Sequence, residues 1–153
     1  MQDKNYTQKA FLFDLNGTMI NDMDYHNHAW HHILTNTLGS SISFNEVKKE
    51  MYGKNQELLD RVFGKNHFSQ QQADEISMQK ELIYQKAYSP HLALIAGLDK
   101  FLEKAKSHKI EMAIGSAAIP FNIDFVLDGL DLRSYFNAIV SASDVEISKP
   151  HPE

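Results

Sequence analysis

The sequence predicts an α/β protein in which a helical segment interrupts a parallel sheet. Three short apolar runs, at 11–13, 110–114 and 136–140, have the length and composition of strands in such a sheet. A helical pattern separates the second run from the third, and strand-helix-strand order favours parallel strands joined by right-handed crossovers. Residues 24–89 show helical patterns and no obvious strand, which indicates a small helical bundle inserted after the first strand.

The first strand ends at a carboxylate followed by a turn. Phe11–Phe13 is a continuous apolar run, which we expect to be buried on both faces of the sheet. Asp14 follows directly, at the edge where open α/β sheets bind ligands. Gly17 permits a sharp turn, and Thr18 supplies a hydroxyl and an amide that can bond phosphate oxygens. Taken alone, these residues fit equally well a strand that ends at a polar turn.

The helical insertion is bounded by capping and breaking residues. Its segments lie at 24–36, 44–51, 58–63 and 70–88. Asp24 is the candidate N-cap of the first segment and Ser69 that of the last, which Pro90 ends. Trp30 falls on the apolar stripe of the first helix, so we expect it in the core and not in a ligand platform.

The alternation of strands and helices resumes after the insertion. Leu98, Phe101, Leu102 and Ala105 form a helical stripe ahead of the second strand. Pro120 suits the first turn of the next helix, which has an apolar face and a candidate C′ residue at Gly129. These elements complete the predicted sheet and the helices that cover it.

Composition narrows the functional classes. The 153 residues are 42% hydrophobic and 23% charged, with a net charge of −5 and no cysteine. Such a chain has no general electrostatic attraction to nucleic acid or to an anionic membrane, and it forms no disulfide. Residues 1–8 lack periodicity, and we expect them to be mobile. The polar N-terminus is unlike a secretory signal, so we expect a soluble, cytoplasmic monomer.

Three motifs in order resemble the haloacid dehalogenase-like (HAD) hydrolases, within them the β-phosphoglucomutase and sugar phosphatase group. The motifs are Asp14 with Gly17-Thr18, Gly115-Ser116 after the second strand, and Ser148-Lys149-Pro150 after the third. The resemblance implies a Rossmann-like core of residues 1–18 and 92–153 and a helical cap of residues 19–91, hinged near 19–22 and 89–92. Similar proteins continue with a strand that carries metal-binding acids. We therefore expect this chain to be a fragment whose core is truncated at the C-terminus.

The resemblance also implies roles for individual residues. Asp14 would be the nucleophile that forms an aspartyl phosphate, with Mg²⁺ held by its side chain and by the main-chain carbonyl of Asn16. Lys149 would balance the phosphate charge, and His26 at the entry to the cap would meet the substrate. The other expected substrate contacts are Gly17, Thr18, Ser116 and Ala117 in the core and Gly53, Lys54 and Lys80 in the cap.

Asn16 departs from the pattern of these proteins, which have an aspartate there as general acid and base. Asparagine does not titrate, and the loss of such a group costs about 10²–10⁴-fold in rate. Either another residue supplies the proton, with His26 as the best candidate, or the enzyme is slow, or the position was altered. The sequence leaves these alternatives open.

The sequence thus predicts Mg²⁺-dependent phosphoryl transfer on a small phosphorylated metabolite, such as a sugar phosphate, by a phosphatase or a phosphohexomutase. The alternative is a catalytically weak or silent protein that binds a phosphate ligand, which Asn16 favours. His28 and His32 lie four residues apart and could share a metal ion, but without a clear third ligand a solvated helix face is favoured.

Overall fold

A parallel sheet of three strands lies at the centre of the core. The computed structural model describes residues 9–153, so the segment 1–8 that we expect to be mobile lies outside the described residues. The strands are β1 (Ala10–Phe13), β2 (Glu111–Gly115) and β3 (Ala138–Val140), with β2 in the middle. Both pairings are parallel, with Phe13 opposite Ile114 and Gly115 opposite Val140. The predicted α/β class is confirmed.

The helices occupy the predicted regions of the chain. They are α1 (Met23–His32), α2 (Phe44–Lys49), α3 (Asn55–Phe63), α4 (Gln70–Tyr88), α5 (Leu98–Ser107) and α6 (Pro120–Gly129). A π-helical turn, Ile33–Thr37, continues α1, and short 3₁₀ turns lie at Ser89–His91 and Arg133–Tyr135. The first four helices follow β1 and precede β2, as the sequence predicts for the insertion.

Capping interactions fix where several helices begin. Ser69 accepts a hydrogen bond from the amide of Gln72 and forms a capping box, which confirms the predicted start of α4. The predicted N-cap at Asp24 is wrong, because Asp22 is the N-cap of α1. The carbonyl of Asp22 accepts from the amides of Tyr25 and His26, and Asp24 lies within the first turn.

The sheet is covered on one face. The rings of Phe11 and Phe13 pack against Phe101 of α5, with centroids 5.3 and 6.2 Å away. Leu12 points to the opposite side and is 83% exposed, and Val140 is 40% exposed. The prediction that β1 is buried on both faces is therefore wrong, because no helix of residues 9–153 covers the face that carries Leu12.

Buried apolar side chains form two clusters. One combines β2, α5, α6 and the end of α4, and the other lies within the inserted helices around Trp30 and Leu59. Trp30 is 1% exposed, as expected of a core residue. The division into a core of 1–18 and 92–153 and a cap of 19–91 stays a prediction. Among the described helices none is both long and apolar enough to cross a membrane.

Candidate active site

The three sequence motifs meet at the carboxyl edge of the sheet. The Nζ atom of Lys149 lies 2.5 Å from Oδ1 of Asp14 and 3.0 Å from the carbonyl oxygen of Gly115. Asp14 follows β1, Gly115 ends β2, and Lys149 belongs to the segment after β3. Parallel strands bring their carboxyl ends to one edge, which explains why residues 135 positions apart touch.

Asp14 is held through both oxygens. Its Oδ1 accepts from Lys149, and its Oδ2 accepts from the hydroxyl of Thr18 at 2.8 Å. Asp14 and Lys149 are half-exposed, so a ligand can approach the carboxylate. Thr18 thus directs its hydroxyl to Asp14, and both Gly17 and Thr18 lie outside the lining of the nearby cavity.

Asn16 is bound to a buried carboxylate that the sequence analysis missed. Asp22 is fully buried and accepts from the Asn16 amide nitrogen at 2.6 Å, the Gly17 amide at 2.9 Å and the Tyr84 hydroxyl at 2.7 Å. His26 Nε2 lies 3.2 Å from the same carboxylate. Burial raises the pKa of Asp22, but the hydrogen bonds from His26, Asn16 and Tyr84 outweigh it, so the pKa lies below its usual value.

His26 lies between Asp22 and Lys80. Burial and the neighbouring charge of Lys80 lower the pKa of His26, against the opposing effect of Asp22 and Glu81. Lys80 Nζ is 2.9 Å from Nδ1, and an ammonium group only donates, so the neutral ring carries its proton on Nε2. A ring with a lowered pKa is a poor proton donor at neutral pH. The prediction that His26 replaces the missing acid therefore has this electrostatic argument against it.

Lys80 and Glu81 form a buried ion pair on α4. Lys80 is 2% exposed, and its Nζ donates to Glu81 Oε1 at 2.7 Å, an oxygen that Asn55 also contacts at 3.3 Å. Burial lowers the pKa of Lys80, while the charge of Glu81 opposes that shift. The pair keeps a cation at the inserted helices without leaving an isolated buried charge.

A cavity of about 300 Å³ lies between the sheet edge and the inserted helices. Most of the predicted site residues line it: Asp14, Asn16, His26, Gly53, Lys54, Lys80, Ser116, Ala117 and Lys149. The predicted residues thus come together, except Gly17 and Thr18, which do not line the cavity. The cavity is large enough for a small metabolite.

Ser116 and Lys54 have partners within the protein. Ser116 is buried, its amide donates to the carbonyl of Val140, and its hydroxyl oxygen accepts from the amide of Ala118 at 3.1 Å. The hydroxyl hydrogen of Ser116 can still donate to a ligand. Lys54 Nζ donates to the main-chain carbonyls of Val145 and Glu146, so it joins α3 to the segment after β3.

The long helix α4 carries a stripe of buried polar side chains. Ser77, Lys80, Glu81, Tyr84 and Tyr88 are buried at helical spacing along α4. A polar stripe with the period of a helix would have indicated a buried polar site facing α1.

Asp14 and Asn16 offer oxygen donors of the kind that bind a metal ion. The carboxylate of Asp14 and the carbonyl of Asn16 are hard oxygen donors, the kind that Mg²⁺ prefers, and Mg²⁺ is often held by one or two carboxylates with substrate phosphate. In residues 9–153 no group of three His, Asp or Glu side chains could hold a metal ion, and His28 and His32 lie on an exposed part of α1. The donor type fits Mg²⁺ shared with a phosphate ligand.

Comparison with known proteins agrees with this geometry. Residues 11–153 match the sequence pattern of the haloacid dehalogenase-like hydrolases. The chain is 31% identical over 162 residues to an uncharacterised protein of Haemophilus influenzae, covering 95% of this chain and 71% of that one. It is 28% identical over 153 residues to the β-phosphoglucomutase of Bacillus subtilis, covering 95% and 66%.

The fold is similar to that of a solved enzyme. The crystal structure of β-phosphoglucomutase from Clostridium difficile superposes with a TM-score of 0.79 at 26% identity, covering 94% of this chain and 66% of that one. The chain therefore spans about two thirds of the length of the proteins that it resembles.

Proposed function

The chain belongs to the haloacid dehalogenase-like hydrolase family, and we propose that it transfers a phosphoryl group from a small phosphorylated metabolite through an aspartyl phosphate on Asp14. The observation that carries this proposal is the contact of Asp14 with Lys149 at the edge of a cavity of about 300 Å³. A carboxylate with a cation beside it can approach an anionic phosphate that would otherwise repel it.

The chemistry has two displacements at phosphorus. An oxygen of Asp14 bonds to phosphorus as the bond to the leaving oxygen breaks. Water or a second hydroxyl then attacks the phosphoaspartate, which releases the Asp14 carboxylate. Lys149 offsets the charge of the phosphoryl group, and Thr18 holds the carboxylate in orientation. Water as acceptor makes the protein a phosphatase, and a sugar hydroxyl makes it a mutase.

Mg²⁺ is the proposed cofactor. The Asp14 side chain and the main-chain carbonyl of Asn16 would hold it, and the positive charge it supplies when bound would reduce the repulsion between carboxylate and phosphate. Ser116 and Ala117 are the proposed phosphate contacts on the second motif, with the Ser116 hydroxyl as donor.

Proton transfer is the step that this chain is poorly equipped to perform. The leaving oxygen needs a proton, and Asn16 has none to give. Its amide nitrogen is directed to Asp22, so its amide oxygen is the atom left to accept a hydrogen bond from water or a hydroxyl. Asn16 can therefore orient an attacking group without deprotonating it. We infer slow turnover of esters with basic leaving groups, by about 10²–10⁴-fold relative to an enzyme with an acid there.

We propose a sugar phosphate as the substrate. The mutases among the similar proteins support this class, as do the polar side chains of His26, Asn55 and Lys80 that line the cavity. Hydroxyl groups of a sugar can pair with such donors and acceptors. A cytoplasmic location and a monomeric state stay predictions.

A thermal-shift experiment tests the nucleophile. Fluoroberyllate with Mg²⁺ mimics an aspartyl phosphate, and we expect it to raise the melting temperature of the wild-type protein. Asp14→Ala should abolish the shift, and Asp24→Ala, an exposed carboxylate on α1, should leave it intact. An equal shift in Asp14→Ala would show that Asp14 is not the nucleophile.

The second candidate function is a silent protein that binds a phosphate ligand. The amide at position 16 and the lowered pKa of His26 favour it, because both leave the leaving oxygen without a proton donor. Steady-state turnover of a panel of phosphorylated metabolites separates the two. Tight binding of inorganic phosphate without turnover of any substrate would favour the silent protein.

A further inference from the structure

Side chains at the start of α3 hold the segment that carries Lys149. The hydroxyl of Ser148 lies 2.8 and 2.7 Å from Oε1 and Oε2 of Glu57 and donates to this carboxylate. Lys54 Nζ donates to the carbonyl of Glu146 at 3.2 Å and to that of Val145. The start of α3 is therefore attached to the segment 145–149 through the side chain of Lys54 and through that of Ser148.

Glu57 is itself fixed at the first turn of α3. Its Oε2 accepts from the main-chain amide of the N-cap residue Lys54 at 2.9 Å. A carboxylate at a helix N-terminus is favoured by the unpaired amides there. Glu57 thus presents a preorganised acceptor to Ser148.

The absence of a side chain at Gly53 leaves space for the contact between Glu57 and Ser148. A Cβ at position 53 would lie 2.0 Å from Glu57 Oε2 and 3.2 Å from the hydroxyl oxygen of Ser148. The φ angle of Gly53 is +75°, which disfavours any other residue. A methyl group here would push the Glu57 carboxylate away from Ser148.

Lys149 follows Ser148 and depends on where the segment lies. Its side chain is half-exposed and has four rotatable carbons, so little but its backbone position and its partners Asp14 and Gly115 restrains it. Once Ser148 is bound to Glu57, the backbone next to Lys149 is fixed relative to the start of α3, which lines the same cavity as Asp14. The Lys149 amine can then contact Asp14 without a conformational change of the segment 145–149.

We propose that Ser148 and Glu57 are positioning residues for Lys149, so that contact of α3 with the segment 145–149 places the cation beside Asp14. The proposal rests on the proposed function for the role of Lys149 in binding phosphate. The contact itself does not depend on that function. It also assigns Gly53 a structural role, which is to leave space for the contact between Glu57 and Ser148.

The rate of amine labelling reports, without any ligand, how far the Lys149 amine is shielded by its contact with Asp14. The full chain is treated with an acetylating reagent, and the rate at Lys149 is followed by mass spectrometry. We expect Ser148→Ala to raise that rate about two- to five-fold, the range for loss of an exposed ion pair, and Ser148→Thr to leave it near wild type. Glu46→Gln is the matched control, because Glu46 closes the capping box of α2 without touching the segment 145–149.

Phosphate affinity, measured by calorimetry with inorganic phosphate, shows whether Ser148 acts through Lys149. We expect Ser148→Ala to weaken binding about fivefold in the wild-type background and to have no further effect in Lys149→Ala. Equal weakening in both backgrounds would mean that Ser148 meets the ligand directly, and the proposal would be wrong.

The two measurements separate the failure of this proposal from the failure of the proposed function. Unchanged labelling of Lys149 in Ser148→Ala overturns the positioning role, whatever the protein binds. Faster labelling in a protein that binds no phosphate supports the positioning role and counts against the proposed function.

Discussion

Asn16 donates its amide hydrogen to Asp22 across 2.6 Å. The resemblance to the HAD hydrolases implies an aspartate at the position of Asn16. Here position 16 is an amide, and the buried carboxylate bonded to it belongs to Asp22, which does not line the cavity. The pair therefore holds the amide in one orientation and keeps a titratable group away from the reacting atoms.

The first prediction follows from this pair. Because a missing general acid costs about 10²–10⁴-fold in rate, the sequence alone predicts that Asn16→Asp raises phosphatase turnover by about 10²-fold or more. The structure changes that expectation, because the variant places two carboxylates at hydrogen-bond distance in a buried site, where like charges disfavour ionisation. We expect the double variant Asn16→Asp with Asp22→Asn to reach the full gain, since it keeps the hydrogen bond with donor and acceptor exchanged.

The comparison uses kcat for a sugar phosphate at neutral pH and urea unfolding of the same variants. Asn16→Asp alone should gain less in kcat and should lower the free energy of unfolding. A single variant as fast and as stable as the double variant would contradict the role given to Asp22.

A second prediction concerns the leaving group. Without an acid, rate should depend steeply on how well the leaving oxygen tolerates negative charge. We expect acetyl phosphate, which releases a carboxylate, to transfer its phosphoryl group to Asp14 at least about 10²-fold faster than a sugar phosphate does, measured as the rate of the first turnover. Restoring the acid in the double variant should narrow that ratio, and an unchanged ratio would show that a residue other than position 16 supplies the proton.

The third prediction is a dependence of stability on pH. Burial and Lys80 lower the pKa of His26 below its ordinary value of 6.5, so between the folded pKa and 6.5 the unfolded state binds more protons. The free energy of unfolding should therefore fall as pH drops from 6.5 through that window. His26→Gln should flatten the dependence, measured by urea unfolding. His31 packs against Phe44 and forms no ion pair within residues 9–153, so an equal slope in His31→Gln and His26→Gln would contradict the assignment.

A fourth prediction tests which face of the sheet is covered. Leu12 is 83% exposed, whereas Ile114 is 1% exposed. Ile114→Ala should lower the free energy of unfolding by about 2–5 kcal/mol, as expected of a buried aliphatic residue. Leu12→Ala should cost well under 1 kcal/mol, because it removes little buried surface. Equal losses would mean that the face with Leu12 is buried in solution.

Much of the candidate site can be predicted from the sequence. The order of Asp14, Ser116 and Lys149 along strands of one parallel sheet is enough to bring them together, because each follows the carboxyl end of a strand. Ser69 and Pro90 marked the ends of α4 through capping and backbone chemistry that act locally.

The rest depends on tertiary contacts that local patterns do not contain. Asp22 is polar and precedes a helix, so nothing in its neighbours indicates full burial against Tyr84, 62 positions later. Glu57 and Ser148 are 91 positions apart, and no periodicity links them. The exposure of Leu12 depends on what covers the sheet, which an apolar run does not reveal.

Direct detection of the phosphoenzyme tests the central claim, that Asp14 carries the phosphoryl group. The protein is incubated with acetyl phosphate and Mg²⁺, quenched in acid and digested, and the peptides are examined by mass spectrometry. We expect one added phosphoryl group on the peptide that contains Asp14, accumulating because Asn16 does not activate water, and none in Asp14→Ala. A phosphoryl group on another residue, or the same modification in Asp14→Ala, would contradict the account.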